Sequence, residues 1–353
     1  MAYSSIIKPI TKFSATKYTG NSTSGHAITG VGHQPSVTWI KCLNDTENHM
    51  WYNAVSGAGK HISPGSNSAE STSYPLTSFD SDGFTIGSNN NSVNGALNYI
   101  AYCWKASGGG SSNTDGTITS SVSVDTTSGF SIVEWTAADN KNVGHGLGAV
   151  PALIITKSAQ HSGAGWVGWH QKLTGGSNIY DRYIYFDNNT GQGTNTNYWY
   201  GDSQGITSTV FGVENNGHDN NNGSMLAFCW KEVKGFSKFG VYKGFGNADG
   251  PFVYTGFKPA FIMIKARENT QDFEILDDKR GASTANPVEK NLEFNTNDSE
   301  NTDLDVDFYS NGFKLKKVDD SINNGSWQYI YAAFAAEPLV ANSGDDGIPA
   351  TAR

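Results

Sequence analysis

One order of short motifs occurs three times along the chain. Pro35, Pro151 and Pro259 each open a mostly apolar or β-branched run, and each run ends on a lysine six residues later, at Lys41, Lys157 and Lys265. A glycine-containing turn precedes each proline: Gly30-Val31-Gly32-His33, Gly144-His145-Gly146-Leu147-Gly148 and Thr255-Gly256-Phe257. Earlier still stands an aromatic segment, at Lys17-Tyr18-Thr19, Glu134-Trp135-Thr136 and Val241-Tyr242-Lys243. The far end repeats too, as Tyr99-Ile100-Ala101-Tyr102-Cys103-Trp104, Met225-Leu226-Ala227-Phe228-Cys229-Trp230 and Tyr329-Ile330-Tyr331-Ala332-Ala333-Phe334. Phe84, Phe211 and Phe313 precede those ends at similar distances, and a middle aromatic segment recurs around Trp51, Trp166 and Phe273. Self-similarity at this period marks a triplicated structural unit.

Each shared string is a short β run bounded by Gly, Asn or Pro. With 41 glycines and only 16% charged residues, the chain lacks the Glu and Lys that coat helices. The expected fold is all-β: three tandem antiparallel β-sandwich repeats of jelly-roll type. The expected layout is an N-terminal arm over 1–12, repeat 1 over 13–105, a Gly/Ser linker with a further strand over 106–129, repeat 2 over 130–233, repeat 3 over 236–338 and a C-terminal tail over 339–353. Each repeat is expected to enclose its own core around Trp104, Trp230 or Phe334. The linker composition makes repeat 1 the more independent part.

A net charge of −9 argues against wrapping nucleic acid, which needs clustered positive charge. No run of about 18 apolar residues suggests membrane insertion. No signal peptide is read at the N-terminus. Three cysteines, Cys42, Cys103 and Cys229, form no CxxC pair, and Cys103 and Cys229, in near-identical apolar strings, read as buried thiols. Neither a GxSxG elbow nor a Walker loop is present, and no carboxylate pair recurs with the repeat, so no catalytic residue and no cofactor is expected. The chain reads as a protein that is not an enzyme.

Two weaker patterns point to ligands. Asp303, Asp305 and Asp307 alternate, so a strand would carry them on one face, where oxygen ligands suit calcium; a solvated strand edge is the plainer reading. Trp166, Trp169, Tyr198, Trp199 and Tyr200 lie in or near Asn-rich stretches, where exposed rings could stack on sugars; core filling is the alternative. His33 and His145 occupy matching turns and read as turn histidines.

The strings Gly144-His145-Gly146-Leu147-Gly148, Ser237-Lys238-Phe239-Gly240-Val241-Tyr242, Asp249 through Ala260 (DGPFVYTGFKPA), Ser310-Asn311-Gly312-Phe313-Lys314-Leu315 and Ile348-Pro349-Ala350-Thr351-Ala352-Arg353 resemble a repeat-containing family of virion structural proteins from marine tailed phages, cyanophages and pelagiphages among them. The resemblance spans nearly the whole chain, from Ser5-Ile6-Ile7-Lys8-Pro9 onward. It implies a virion structural protein without saying which part of the virion it occupies; the expectation drawn from it is a non-enzymatic bacteriophage protein on the particle exterior, a tail fibre or knob or a capsid decoration, located in the virion and assisting host attachment or particle stability. The implied partners are other virion proteins, further copies in a homo-oligomer, and host-surface glycan. The alternative is a carbohydrate-binding or glycan-degrading tailspike-like receptor-binding protein. The family carries no catalytic residues to transfer.

Overall fold

The computed structural model describes residues 7–87, 89–175, 178–195, 198–199, 205–214, 223–281 and 286–338. The first third of the chain forms β1 (Phe13–Thr19), β2 (His26–Thr29), β3 (Val37–Cys42), β4 (Met50–Asn53), β5 (His61–Ile62), β6 (Leu76–Asp80), β7 (Gly83–Ile86) and β8 (Asn98–Trp104). Next come β9 (Ser111–Asn113) and β10 (Ser120–Asp125). The middle third forms β11 (Phe130–Thr136), β12 (Lys141–Gly144), β13 (Leu153–Ser158), β14 (Val167–His170), β15 (Arg182–Tyr185), β16 (Gly193–Thr194), β17 (Val210–Val213) and β18 (Ser224–Trp230). The last third forms β19 (Ser237–Lys243), β20 (Phe252–Tyr254), β21 (Phe257–Ala266), β22 (Glu274–Asp277), β23 (Asn291–Glu293), β24 (Val306–Tyr309), β25 (Gly312–Leu315) and β26 (Gln328–Pro338). The all-β, antiparallel class expected from composition and turn spacing is what the chain adopts.

One strand order recurs. The large sheets run β1-β8-β3-β4-β5, β11-β18-β13-β14-β15 and β19-β26-β21-β22-β23, and the middle one is extended by β16 on one side and by β10-β9 on the other. Small sheets of order β2-β7-β6, β12-β17 and β20-β25-β24 accompany them. In each large sheet the closing strand inserts between the first and third strands. Trp104 thereby pairs with Phe13 and Val37, Trp230 with Phe130 and Leu153, and Phe334 with Ser237 and Phe261. A central strand covered on both faces needs apolar residues at successive positions, and this is why β8, β18 and β26 read as unbroken apolar strings.

The small sheets need glycine where two strands come together. A Cβ on Gly83 would stand 1.9 Å from the Ile28 carbonyl oxygen, and its φ is +155°. The matching Gly312 would meet the Val253 carbonyl at 2.2 Å. Any side chain there would push the neighbouring strand away.

The cores differ from expectation. Alternate residues of a strand face opposite sides, and in the first and last units one side does form a local core. Tyr99, Ala101 and Cys103 pack with Ile28, Phe84 and Ile86. Tyr329, Tyr331 and Ala333 pack with Val253, Phe313 and Leu315. The other side of each large sheet faces the other two units, so Trp104, Trp230 and Phe334 belong to one shared core instead of three separate ones. Ring centroids of Phe13 and Phe334 are 5.0 Å apart, those of Trp104 and Phe334 5.5 Å, and those of Trp104 and Trp230 6.0 Å. Trp51 lies 4.9 Å from Phe228, and Trp39 lies 5.0 Å from Phe294. Burying one such ring removes roughly 150–250 Å² from water, an upper-bound gain of about 4–6 kcal/mol. No unit could leave the others without exposing several of them.

The Gly/Ser stretch after Trp104 does not release the first unit as expected. Ala106 is buried and its amide donates to Ser36 Oγ at 2.9 Å. The Val124 amide donates to Ser107 Oγ, and Lys12 forms an ion pair with Asp125 at 2.6 Å. β9 and β10 then continue the middle sheet beyond β11.

Candidate functional site

The repeated lysines mark the seams between units. Lys41, Lys157 and Lys265 are all buried, at 0%, 0% and 1% exposure. Each stands two residues beyond a strand position that faces the shared core (Trp39, Ile155 and Met263), so its amine reaches the rim of that core. Lys41 Nζ donates to the Glu47 carbonyl at 2.7 Å, Lys157 Nζ to Ala164 at 2.8 Å and Lys265 Nζ to Asn269 at 3.0 Å. Those carbonyls lie on the hairpin that follows each lysine's own strand. The same amines also donate into another unit: Lys41 to the Asn297 carbonyl at 3.1 Å, Lys157 to Asn67 at 3.5 Å and Lys265 to Asn189 at 3.2 Å. The first unit thus holds the third, the second holds the first, and the third holds the second. The contacts form a closed cycle.

Further bonds follow the same route. The amides of Gly163 and Gln271 donate to the Asn67 and Asn189 carbonyls at 2.8 and 2.9 Å. Trp166 Nε1 donates to Ser66 O at 3.0 Å. His49 accepts the Trp39 indole proton on Nδ1 at 2.8 Å and donates from Nε2 to Glu293 O at 3.0 Å. Across the seam between the second and third units, in the opposite sense to Lys265, His170 donates from Nε2 to Tyr331 O and accepts from the Lys172 amide on Nδ1. Burial lowers the ammonium pKa of Lys41 and of Lys265 to about 8, and for Lys41 the charges of Cys42, Asp298, Glu47 and Asp45 offset only part of this. Burial also holds His49 well below the usual imidazole range and takes His170 to about 3. The repeated lysine was plain in the sequence. The asparagine carbonyls that receive it were not, because a main-chain acceptor leaves no side-chain signature.

The proposed sugar-stacking residues lie elsewhere. Trp166, Trp169, Tyr198 and Trp199 are buried, at 5% exposure or less. Trp169 Nε1 donates to Ile179 O, Tyr198 stacks on Tyr183 at 4.3 Å, and Trp199 packs edge-on to Phe211 at 6.5 Å. They fill the core, and their rings have no open face for a ligand. Tyr200 lies outside the described residues. Asp303 and Asp305 precede β24 and only Asp307 is in it, so the strand that was to align them is missing. Asp307 instead accepts from Tyr309 Oη at 3.0 Å and faces Lys316 at 3.6 Å. Among the described residues no group of three His, Cys, Asp or Glu side chains is placed to hold a metal ion. His33 donates from Nδ1 to Ile10 O, and His145 bonds Thr207 O and the Leu147 amide within its turn. The thiols of Cys103 and Cys229 are buried and shifted upward by desolvation, Cys103 to about 12.

Among the described residues two exposed surfaces stand out. A shallow groove of about 440 Å³ lies over the extension of the middle sheet, lined by Ser112, Ser121, Thr136, Ser224 and Glu134. Ser224 Oγ donates to Glu134 Oε1 at 2.5 Å, so the single carboxylate in the groove is engaged. The second surface is the outer side of β20-β25-β24. Phe252 and Tyr254 stand there at 46% and 58% exposure, with Tyr309 beside them. Sequence reading missed these rings because they sit in an ordinary alternating strand, in which Val253 between them points inward.

Fold and seams together define an all-β protein whose three like-ordered sheets are closed into a ring around one aromatic core. The chain belongs to the family described as a domain of unknown function, DUF7483, whose model matches residues 8–338. No curated protein and no solved structure matches the chain. No helix among the described residues is long and apolar enough to cross a membrane.

Proposed function

We propose that this chain is a non-enzymatic structural protein on the exterior of a tailed-phage particle, a tail fibre or knob or a capsid decoration, which stabilises the particle or assists attachment to the host. The observation that carries the reading is the closed cycle of Lys41, Lys157 and Lys265 bonds around a shared aromatic core. It gives one chain the closure of a cyclic trimer, and a closed ring of rigid sheets suits a part that must hold its shape outside a cell. The groups that often perform chemistry are committed to structure. His49, His145 and His170 are held as fixed neutral tautomers by main-chain and indole partners, and the Asp277 carboxylate is bound by Arg280 at 2.5 Å and by Tyr102 at 2.6 Å. The sequence resemblance to virion proteins points the same way.

The test is quantitative mass spectrometry of density-purified particles, with immunogold labelling of intact ones. The expected result is a fixed copy number per particle and label on the outside. Presence in the infected-cell lysate with absence from purified particles overturns the proposal.

A further inference from the structure

The three units differ on the outer side of their small sheets. Pairing registers equate Ala27 and Thr29 of the first unit with Asn142 and Gly144 of the second and with Phe252 and Tyr254 of the third. In the first unit the side is small and polar. In the second it is covered by the chain itself: Asn142 is buried, its amide donates to Thr117 Oγ1 at 2.9 Å, and a Cβ on Gly144 would strike Asn113 Oδ1 at 1.7 Å. Among the described residues only the third unit presents rings there, and it presents them open to solvent. Fold does not require them, since the same strand position is filled by Ala27 and by Asn142 elsewhere in the same chain.

The rings are laid down over glycines. Phe252 Cζ lies 2.8 Å from where a Cβ of Gly312 would stand, and the Tyr254 ring lies 3.6–3.8 Å from the corresponding point on Gly256. Tyr309 approaches Phe252 edge-on, with centroids 5.9 Å apart. The result is an exposed aromatic platform whose two main rings stand at alternate positions of one strand, with Cα atoms about 6.6 Å apart. Across the sheet the Phe252 row continues as Lys314 and Asp307, and the Tyr254 row as Gly312 and Tyr309. Charge on the platform is internally paired: Lys314 with Asp249, and Lys316 with Asp307.

We propose that this platform binds a neutral carbohydrate, with pyranose rings stacked on Phe252 and Tyr254 and their hydroxyls bonded by Lys314, Asp307 and Tyr309 Oη. A sugar has an apolar C–H face and a rim of donors and acceptors, and the platform offers rings interleaved with groups of both kinds. The centre of a protein interface is depleted of such charges. A stacked nucleic-acid base would bring a phosphate backbone that needs unpaired positive charge, whereas here each lysine already has its carboxylate. The inference goes beyond the exterior role proposed above and does not depend on it.

The experiment is an immobilised array of neutral and acidic mono- to hexasaccharides probed with the full chain. The expected result is retention on neutral pyranose oligosaccharides, at least tenfold weaker for Tyr254→Ala and for Phe252→Ala, restored by Tyr254→Trp and unaffected by Val150→Ser, an exposed site on the middle unit. Thermal melting of the alanine variants should match the parent, since both side chains are exposed. No retention on any neutral glycan, or retention unaffected by both alanine variants, overturns the proposal. So does sedimentation of the parent as a dimer that Tyr254→Ala converts to monomer, because the platform is then a contact between copies. Particle association is read separately with the Tyr254→Ala chain, so loss of sugar binding and loss of the virion role are distinguishable.

Discussion

The Lys41 ammonium lies 3.1 Å from the Asn297 carbonyl oxygen, across 256 residues of chain. Its counterparts are Lys157 with Asn67 and Lys265 with Asn189. Contacts of this kind, passed from unit to unit until they return to the start, close a cyclic trimer. Here one chain supplies all three positions, so closure carries none of the translational and rotational cost of association. Tethering also lets the three positions diverge. That is how one unit can carry an extra hairpin, β9–β10, and another an aromatic platform.

The lysine bonds should be worth a measurable and nearly equal amount at each seam. Lys41→Met, Lys157→Met and Lys265→Met keep most of the apolar stem and remove the donors. Each removes the amine's hydrogen bonds to main-chain carbonyls, of which those of Asn67 and Asn189 keep the Gly163 and Gln271 amides, a loss of about 1.5–3 kcal/mol per charged bond that is partly offset because a cation is no longer desolvated. The expected net loss is about 2 kcal/mol in urea unfolding for every member of the set. A variant as stable as the parent would remove that seam from the account.

The same lysines set an alkaline signature. Folded Lys41 and Lys265 titrate near 8, and an unfolded lysine near 10.4. Between these values the unfolded chain binds more protons, so stability rises with pH, by up to about 1.4 kcal/mol per unit for each lysine. The buried thiols of Cys42, Cys103 and Cys229, raised by desolvation, work in the opposite sense above about pH 8.5, so the lysine contribution is read as a difference between parent and variant. From pH 8 to pH 9.5 the urea midpoint of Lys41→Met should fall relative to that of the parent, and an unchanged difference across that range contradicts the burial-lowered titration.

Acid should unfold the protein well before its carboxylates are exhausted. Burial brings His33, His61 and His145 to about 4 and His170 to about 3, and it depresses His49 as well. All five are neutral in the fold and titrate near 6.5 when unfolded. Their contribution is fully present above pH 6.5 and is lost as pH falls toward 4, because the unfolded chain then takes up protons the fold refuses. Buried Glu274, raised to about 8, works in the opposite sense and cancels close to one proton. Asp278, Glu293 and Asp305, also raised by burial, cancel more, so net uptake on unfolding is at most about four protons, or about 5 kcal/mol per pH unit. A domain of ordinary stability would unfold near pH 5. Circular dichroism across pH 7 to 4 reads the midpoint, and His170→Gln should reduce the slope by about one proton.

Much of this fold was legible in the sequence because central strands advertise themselves. Met225–Trp230 and Tyr329–Phe334 are apolar at successive positions, and only a strand covered on both faces tolerates that. What covers the second face was not legible. Trp104 alternates with Cys103 in the same way whether its partner is a sheet of its own unit or Phe334 of another. Loop composition also misled. Tyr198 and Trp199 stand beside asparagines, but their rings turn inward onto Tyr183 and Phe211. The rings that do face solvent, Phe252 and Tyr254, occupy a strand whose alternation signals burial of Val253 and leaves its outer side open to any residue.

Unfolding should be a single event, and Trp104 is where this can be tested most sharply. Its ring is in contact range of Phe13 and Trp51 from the first unit, Phe130 and Trp230 from the second and Phe261 and Phe334 from the third. Trp104→Ala should cost about 3–5 kcal/mol, the range for emptying a buried aromatic site. Sandwiches with separate cores would confine that loss to the first unit and split the calorimetric trace into an early and a late transition. With the core shared, the whole trace moves to lower temperature as one peak, with calorimetric and van't Hoff enthalpies still equal. Trp39→Ala, whose ring meets Phe261 at 6.3 Å and Phe294 at 5.0 Å, should shift the same single peak. A biphasic trace from either variant would show that the units unfold independently despite their contact.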